Sequence, residues 1–158
     1  MIRKVIKMLI LVGWMVVIFS FSNDSGVVST KKSDGFIINT IEVFLQRNLI
    51  EKEKQQWTTY LVKPVRKGAH LFVYTILGSL FAINISEYCE SQRKVALLAL
   101  FLSFLYACSD ELHQLFIVGR SGQVSDVLLD TIGAGIGILI FLFVVRMLIK
   151  YEQKERIS

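Results

Sequence analysis

Cysteine and proline are nearly missing from this chain, and charge is scarce: 158 residues contain two Cys, one Pro and 20% charged residues. Cys89 and Cys108 stand at opposite ends of one apolar block, which argues against a disulfide between them and leaves too few thiols for a cysteine metal cage. There are only two histidines, His70 and His113, with no H-x-x-x-H or H-E-x-x-H spacing. Two histidines with nearby carboxylates could ligate zinc, but local sequence offers no metal motif in support, and neither a metal nor another cofactor is expected. Low-complexity tracts and internal repeats are also missing. The shortage of charge excludes most. Hydrophobic residues reach 53%, more than a soluble domain of this length can hide, and they come in long blocks instead of amphipathic periods. The formal charge of +5 does not indicate nucleic acid as a partner, because many bases flank the apolar blocks, where Lys and Arg anchor helices at headgroups.

The blocks predict an all-α, polytopic integral membrane protein, a single domain over 1–158. It has four transmembrane helices, at about 5–22, 65–85, 95–112 and 126–149, plus an amphipathic helix in the first extracytoplasmic loop. The first apolar block, Met8 to Phe21, follows Arg3, Lys4 and Lys7. That pattern also fits a signal peptide, with Ser20 and Ser22 as small residues before a cleavage site. Since the remaining chain stays in the membrane anyway, the block is read as a retained first span with Lys7 snorkelling. A polar stretch runs from Asn23 to about Lys67. Within it Phe36, Ile37, Ile41, Phe44, Leu45 and Leu49 recur at helical spacing opposite Asn39, Glu42 and Arg47. This predicts an amphipathic helix on the membrane surface or across the bundle mouth. Glu51 to Gln56 reads as a charged turn or solvated helix end, and Pro64 sits where the first turn of the second span tolerates it. Gly119-Arg120-Ser121-Gly122 is a turn, and Ser125 is the expected N-cap of the last span. Arg3, Lys4 and Lys7, then Arg93 and Lys94, then Arg146, Lys150, Lys154 and Arg156 all fall on one side, which the positive-inside rule makes cytoplasmic. Both termini are thus expected inside, although the long first loop mixes bases with acids.

Polar groups inside the apolar blocks are the informative residues, since each is costly facing lipid, an Asp, Lys or Arg by on the order of 3 kcal/mol at the bilayer centre and less near the interface. In the second span Arg66, His70 and Tyr74 share a face that continues to Gly78. In the third, Ser103, Tyr106, Asp110 and His113 follow steps of three and four, with Gln114 beside them and Glu111 round the corner. In the fourth, Asp126, Asp130, Gly133 and Gly137 form one stripe whose lower part is a small-residue packing surface. The predicted topology brings all three polar ends, together with Arg120 and Ser121, to the outer leaflet. Three readings follow. The set can be a structural ion-pair network. It can be a binding site for an anionic or amphiphilic molecule, with Arg66, Lys67 and Arg120 on phosphate or carboxylate, and Gln114, Ser121, Asp126 and Asp130 completing the site. It can be catalytic, with Asp110 or Glu111 orienting His113 as general base and His70 donating across the cleft. Ser121 is a weak nucleophile candidate, because G-R-S-G is not the G-x-S-x-G elbow. Gly133 and Gly137 can pack within the bundle or against a second copy, so the oligomeric state is left open.

The run Arg66-Lys67-Gly68-Ala69-His70-Leu71-Phe72-Val73-Tyr74, followed by Leu77-Gly78, resembles the first signature of the VanZ-like family. Tyr106 to Phe116, with its Asp110-Glu111-Leu112-His113-Gln114 centre, resembles the second, together with Gly119-Arg120-Ser121-Gly122 and Val124 through Ala134. Phe19 to Asn23 with Ser29 and Ser33 is similar to the serine-rich segment that the family places after its first span. Asn23 stands where Gln is commoner, and Phe36 to Lys63 carries no matching signature. The resemblance implies a Gram-positive-type cell-envelope protein in the bacterial plasma membrane. The family's namesake is linked to low-level resistance to teicoplanin, a lipid-tailed glycopeptide. The expected partners are membrane lipids and lipid-linked cell-wall precursors or lipoglycopeptide antibiotics. The resemblance carries over a site (Arg66, Lys67, His70, Asp110, Glu111, His113, Gln114, Arg120, Asp126, Asp130) and no settled reaction.

Overall fold

The computed structural model describes residues 1–157 as five helices: α1 (Ile2–Ser22), α2 (Gly26–Leu45), α3 (Glu51–Ile85), α4 (Gln92–Gln114) and α5 (Val124–Ile157). No strand occurs among the described residues. All but α2 are long and apolar enough to cross a membrane. Large apolar side chains such as Leu9, Phe101 and Phe143 point outward from them, as a lipid-facing belt requires. The chain is therefore a multi-pass, all-helical membrane protein.

The polar stretch after α1 differs from its sequence reading, because most of it is helical. Ser25 caps α2 and accepts a hydrogen bond from the Val28 N–H at 3.4 Å, so the helix starts well before Phe36. Its hydroxyls do not break it. Thr30 and Ser33 donate to the carbonyls of Gly26 and Ser29, at 2.8 and 3.1 Å, the back-bonding that lets such residues ride a helix. The helix stops at Leu45, where Gln46 turns left-handed with φ 53°. Leu49, expected on its apolar stripe, instead lies in the following link and is buried there.

Glu51 to Gln56 forms the first turns of α3 rather than a separate turn. Glu53 accepts from the Ile50 N–H at 3.2 Å and is held by both Arg47 terminal nitrogens at 2.8 and 2.7 Å. The Arg47 guanidinium pulls its carboxyl down to about 2. Pro64 lies well inside α3, not in a first turn. The ring costs the helix one hydrogen bond, and the residues on either side keep the helical path. At the other loop α5 begins at Val124, so Ser125 is inside the first turn and is not its cap. The Gln123 carbonyl receives the Asp126 and Val127 N–H groups at 2.9 and 3.3 Å.

Helices α3 and α5 meet backbone to backbone. A Cβ on Gly137 would come within 1.8 Å of the Thr75 carbonyl oxygen, and one on Gly78 within 2.2 Å of that of Ala134. Gly133 lies against the Leu71 carbonyl in the same way. The small-residue stripe of α5 thus packs inside the bundle. Ser79 donates across the seam to the Gly137 carbonyl at 3.0 Å. Helix α1 is tied on by Trp14, which donates to the Val73 carbonyl at 2.9 Å, and by Tyr106, which donates to that of Met15 at 2.6 Å. At the end holding the N-terminus, Lys7 pairs with Glu87, Lys4 lies 3.8 Å from the same carboxylate, and Asn84 donates to the Lys7 carbonyl at 3.3 Å. Both cysteines are free.

Candidate functional site

At the opposite end, the first membrane turns of α3, the last turns of α4 and the first turns of α5 converge. His70 Nδ1 lies 3.4 Å from Asp130 Oδ1. The two are close enough to attract, but they are not aligned as a hydrogen bond. His70 Nδ1 and both Asp130 oxygens are left without a hydrogen-bond partner among the described residues. Asp130 is wholly buried and Glu111 is 5% exposed. One donor atom from each of His70, Glu111 and Asp130 falls within 4.8 Å of the others, so an imidazole and two carboxylates from three helices share one point.

Glu111 is held in place there. Its Oε2 accepts the Gln123 N–H at 2.9 Å and its Oε1 accepts from Gln114 Nε2 at 3.1 Å. The same Gln114 nitrogen approaches Asp110 Oδ2 at 3.2 Å and the buried Ser22 hydroxyl at 3.4 Å. Lys67 and Asp126 form a looser pair at the rim, 3.8 Å apart.

Beside this cluster a cavity of about 580 Å³ opens between α1, α2 and α3. Ile18, Phe36, Phe72 and Val73 give it apolar walls, and Lys32, Arg66, His70 and Arg120 reach its surface. These cations differ in how free they are. Lys32 is paired with Asp24 at 2.6 Å. Arg120 donates from Nε to the Asp24 carbonyl and from Nη2 to the Phe21 carbonyl, each at 2.8 Å. Together with the Gly26 N–H bonded to the Val118 carbonyl at 3.0 Å, it clasps the α1–α2 turn to the α4–α5 loop. Burial, and then the neighbouring charge of Arg66, lower the Arg120 pKa. Arg66 itself makes no ion pair or side-chain hydrogen bond among the described residues.

Other predicted site residues stand apart. His113 packs at a tilt of 32° against Phe19 with ring centroids 4.6 Å apart, and its buried Nε2 has no partner among the described residues. No ion pair joins it to Asp110 or Glu111. Ser121 is exposed in the turn and accepts from Gln123 Nε2 at 3.3 Å. Sequence reasoning missed Ser22, Lys32 and the Gln123 backbone. Ser29, Lys32, Ser33 and Phe36 are spaced by three and four, which is the helical signal that could have put Lys32 on a cavity wall.

No curated protein and no solved structure gives a significant match to this sequence. A family model does match, over residues 7–146. That span takes in α3 and α4 whole, most of α1 and α5, and every residue of the cluster, and the chain belongs to the VanZ/LLP1 family.

Proposed function

We propose that this protein binds an amphiphile with an anionic head at the outer leaflet of a bacterial plasma membrane, both of its own termini being cytoplasmic. The observation that carries the reading is Arg66, a cation without a partner among the described residues, at the edge of an apolar cavity. An acyl or prenyl chain fits walls of Phe36, Phe72 and Val73, and a phosphate or carboxylate supplies the charge that two neighbouring arginines lack. Lipid-linked wall precursors and lipid-tailed glycopeptides of the teicoplanin type have this form, and the family resemblance favours them. Helix α2, with Phe36, Val43 and Phe44 exposed, then lies at the membrane interface and governs lateral entry of the tail.

The test is binding of hexadecyl phosphate to protein in neutral detergent, with hexadecyl phosphocholine as the comparison. Arg66→Ala is expected to weaken the phosphate about tenfold or more while the thermal midpoint holds. Equal binding of phosphate by wild type and variant would remove Arg66 from the role. Loss of a clasp is a separate effect, so Arg120→Ala is expected to lower binding and stability together.

A second reading has its own observation. The half-buried imidazole of His70 and the buried carboxylates of Asp130 and Glu111 lie together beside the cavity, a set that suits an intramembrane hydrolase or transferase of lipid-linked substrates.

A further inference from the structure

His70, Glu111 and Asp130 are far apart in sequence but share one point, and charge balance there is incomplete. Two carboxylates and an imidazole leave a buried net negative charge even when the imidazole is protonated. Of the nearby cations, Arg120 is engaged with backbone carbonyls and Lys67 with Asp126, and Arg66 makes no ion pair with either carboxylate. A wholly buried carboxylate with both oxygens unpartnered is an expensive group unless something binds it.

We infer that His70, Glu111 and Asp130 form a binding site for a divalent transition-metal ion, with zinc as the first candidate. Three donors within 4.8 Å of one another leave a central point no more than about 2.8 Å from each. Zinc–nitrogen and zinc–oxygen bonds are about 2.0–2.2 Å, so each donor needs to move by less than about 1 Å. One imidazole nitrogen and two carboxylate oxygens are a donor set that zinc accepts and manganese tolerates. A divalent ion neutralises the two carboxylates with His70 uncharged. Glu111 keeps a free lone pair on each oxygen beyond its bonds from Gln114 and Gln123, and those bonds aim it, as outer-shell contacts aim metal ligands. Three protein ligands leave a coordination position open, and His70 belongs to the cavity wall as well as to the cluster.

This site stands independently of the amphiphile reading, and the two fail separately. Metal content is read by elemental analysis, and hexadecyl phosphate binding can be read in chelator. Detergent-purified protein is stripped with EDTA, dialysed against zinc chloride or, separately, manganese chloride, and analysed for metal per chain. Wild type is expected to hold about one zinc, Asp130→Asn and Glu111→Gln less than a tenth of that, and His113→Gln the wild-type amount. Zinc is also expected to raise the thermal midpoint of wild type and not of Asp130→Asn. Using two ligand variants keeps the test decisive if one does not fold. Wild type holding neither ion, or full retention by both ligand variants, overturns the inference and leaves a proton shared between His70 and Asp130. Equal loss in His113→Gln places the ion elsewhere and overturns it as well.

Discussion

The two polar ends of the bundle use similar residues in different ways. At the N-terminal end, Lys4, Lys7 and Glu87 are partly exposed and paired, and Lys4 also lies over the Tyr88 ring at 4.6 Å. At the other end Asp130 is wholly buried, His70 is half-buried, and their facing atoms have no hydrogen-bond partner among the described residues. The first arrangement is what anchoring needs, since water and headgroups complete it. The second carries a standing cost, and proteins keep such costs where a ligand offsets them. A charge count alone does not distinguish the two ends. Burial and satisfaction do.

The strongest way to break the comparison is to separate the helices that create the buried end. Gly137→Ala puts a methyl group into the Thr75 carbonyl and is expected to cost about 2–3 kcal/mol in unfolding measurements. Gly135→Ala, on the same helix, meets only Leu100 Cδ1 at 3.9 Å and is expected to change little. Equal effects would mean that helix propensity, and not the α3–α5 contact, sets the response.

Next in size is Asp130→Asn in chelator-treated protein. Removing a buried charge that lacks a hydrogen-bond partner among the described residues is expected to raise stability by about 1 kcal/mol in thermal unfolding. A clear loss would show that the carboxylate supports the fold as a structural ion pair. The smallest effect belongs to Glu87, whose pKa the Lys7 ammonium lowers from the ordinary 4.5. A lowered folded value means stabilisation that is full above 4.5 and fades as pH falls through the folded value. Glu87→Gln should therefore lower the thermal midpoint slightly at pH 7, by an amount that shrinks as the pH is taken progressively below 4.5. A pH-independent difference would remove the ion pair from the account.

Much of this was legible in the sequence, for identifiable reasons. Apolar blocks of spanning length leave little choice of fold, and the alternating direction of successive spans brings Arg66, Asp110 and Asp126 to one end. A helix through Phe36 was legible, but its start was not, because serines at 25, 29 and 33 look like loop until one sees that spacing by four suits back-bonding. On α4, steps of three and four favoured His113 over Glu111. At this end of α4 the buried face is Ser103, Ala107, Asp110, Glu111 and Gln114, and the loop at Gly119 folds the Gln123 N–H back onto Glu111, a contact that no helical spacing announces. The expectation of no metal rested on local spacing. A triad drawn from three helices has no spacing to read.

The glycine seam has one more consequence. Where two helices touch through side chains, tilt and slide can be absorbed by rotamers. Gly78 against Ala134 and Gly137 against Thr75 leave nothing between the backbones to adjust. Bilayers of different thickness change the tilt of a bundle at a cost of fractions of a kcal/mol per Å. Here α3 and α5 must tilt as a pair, so the spacing of His70 and Asp130 is insulated from the thickness of the membrane around them.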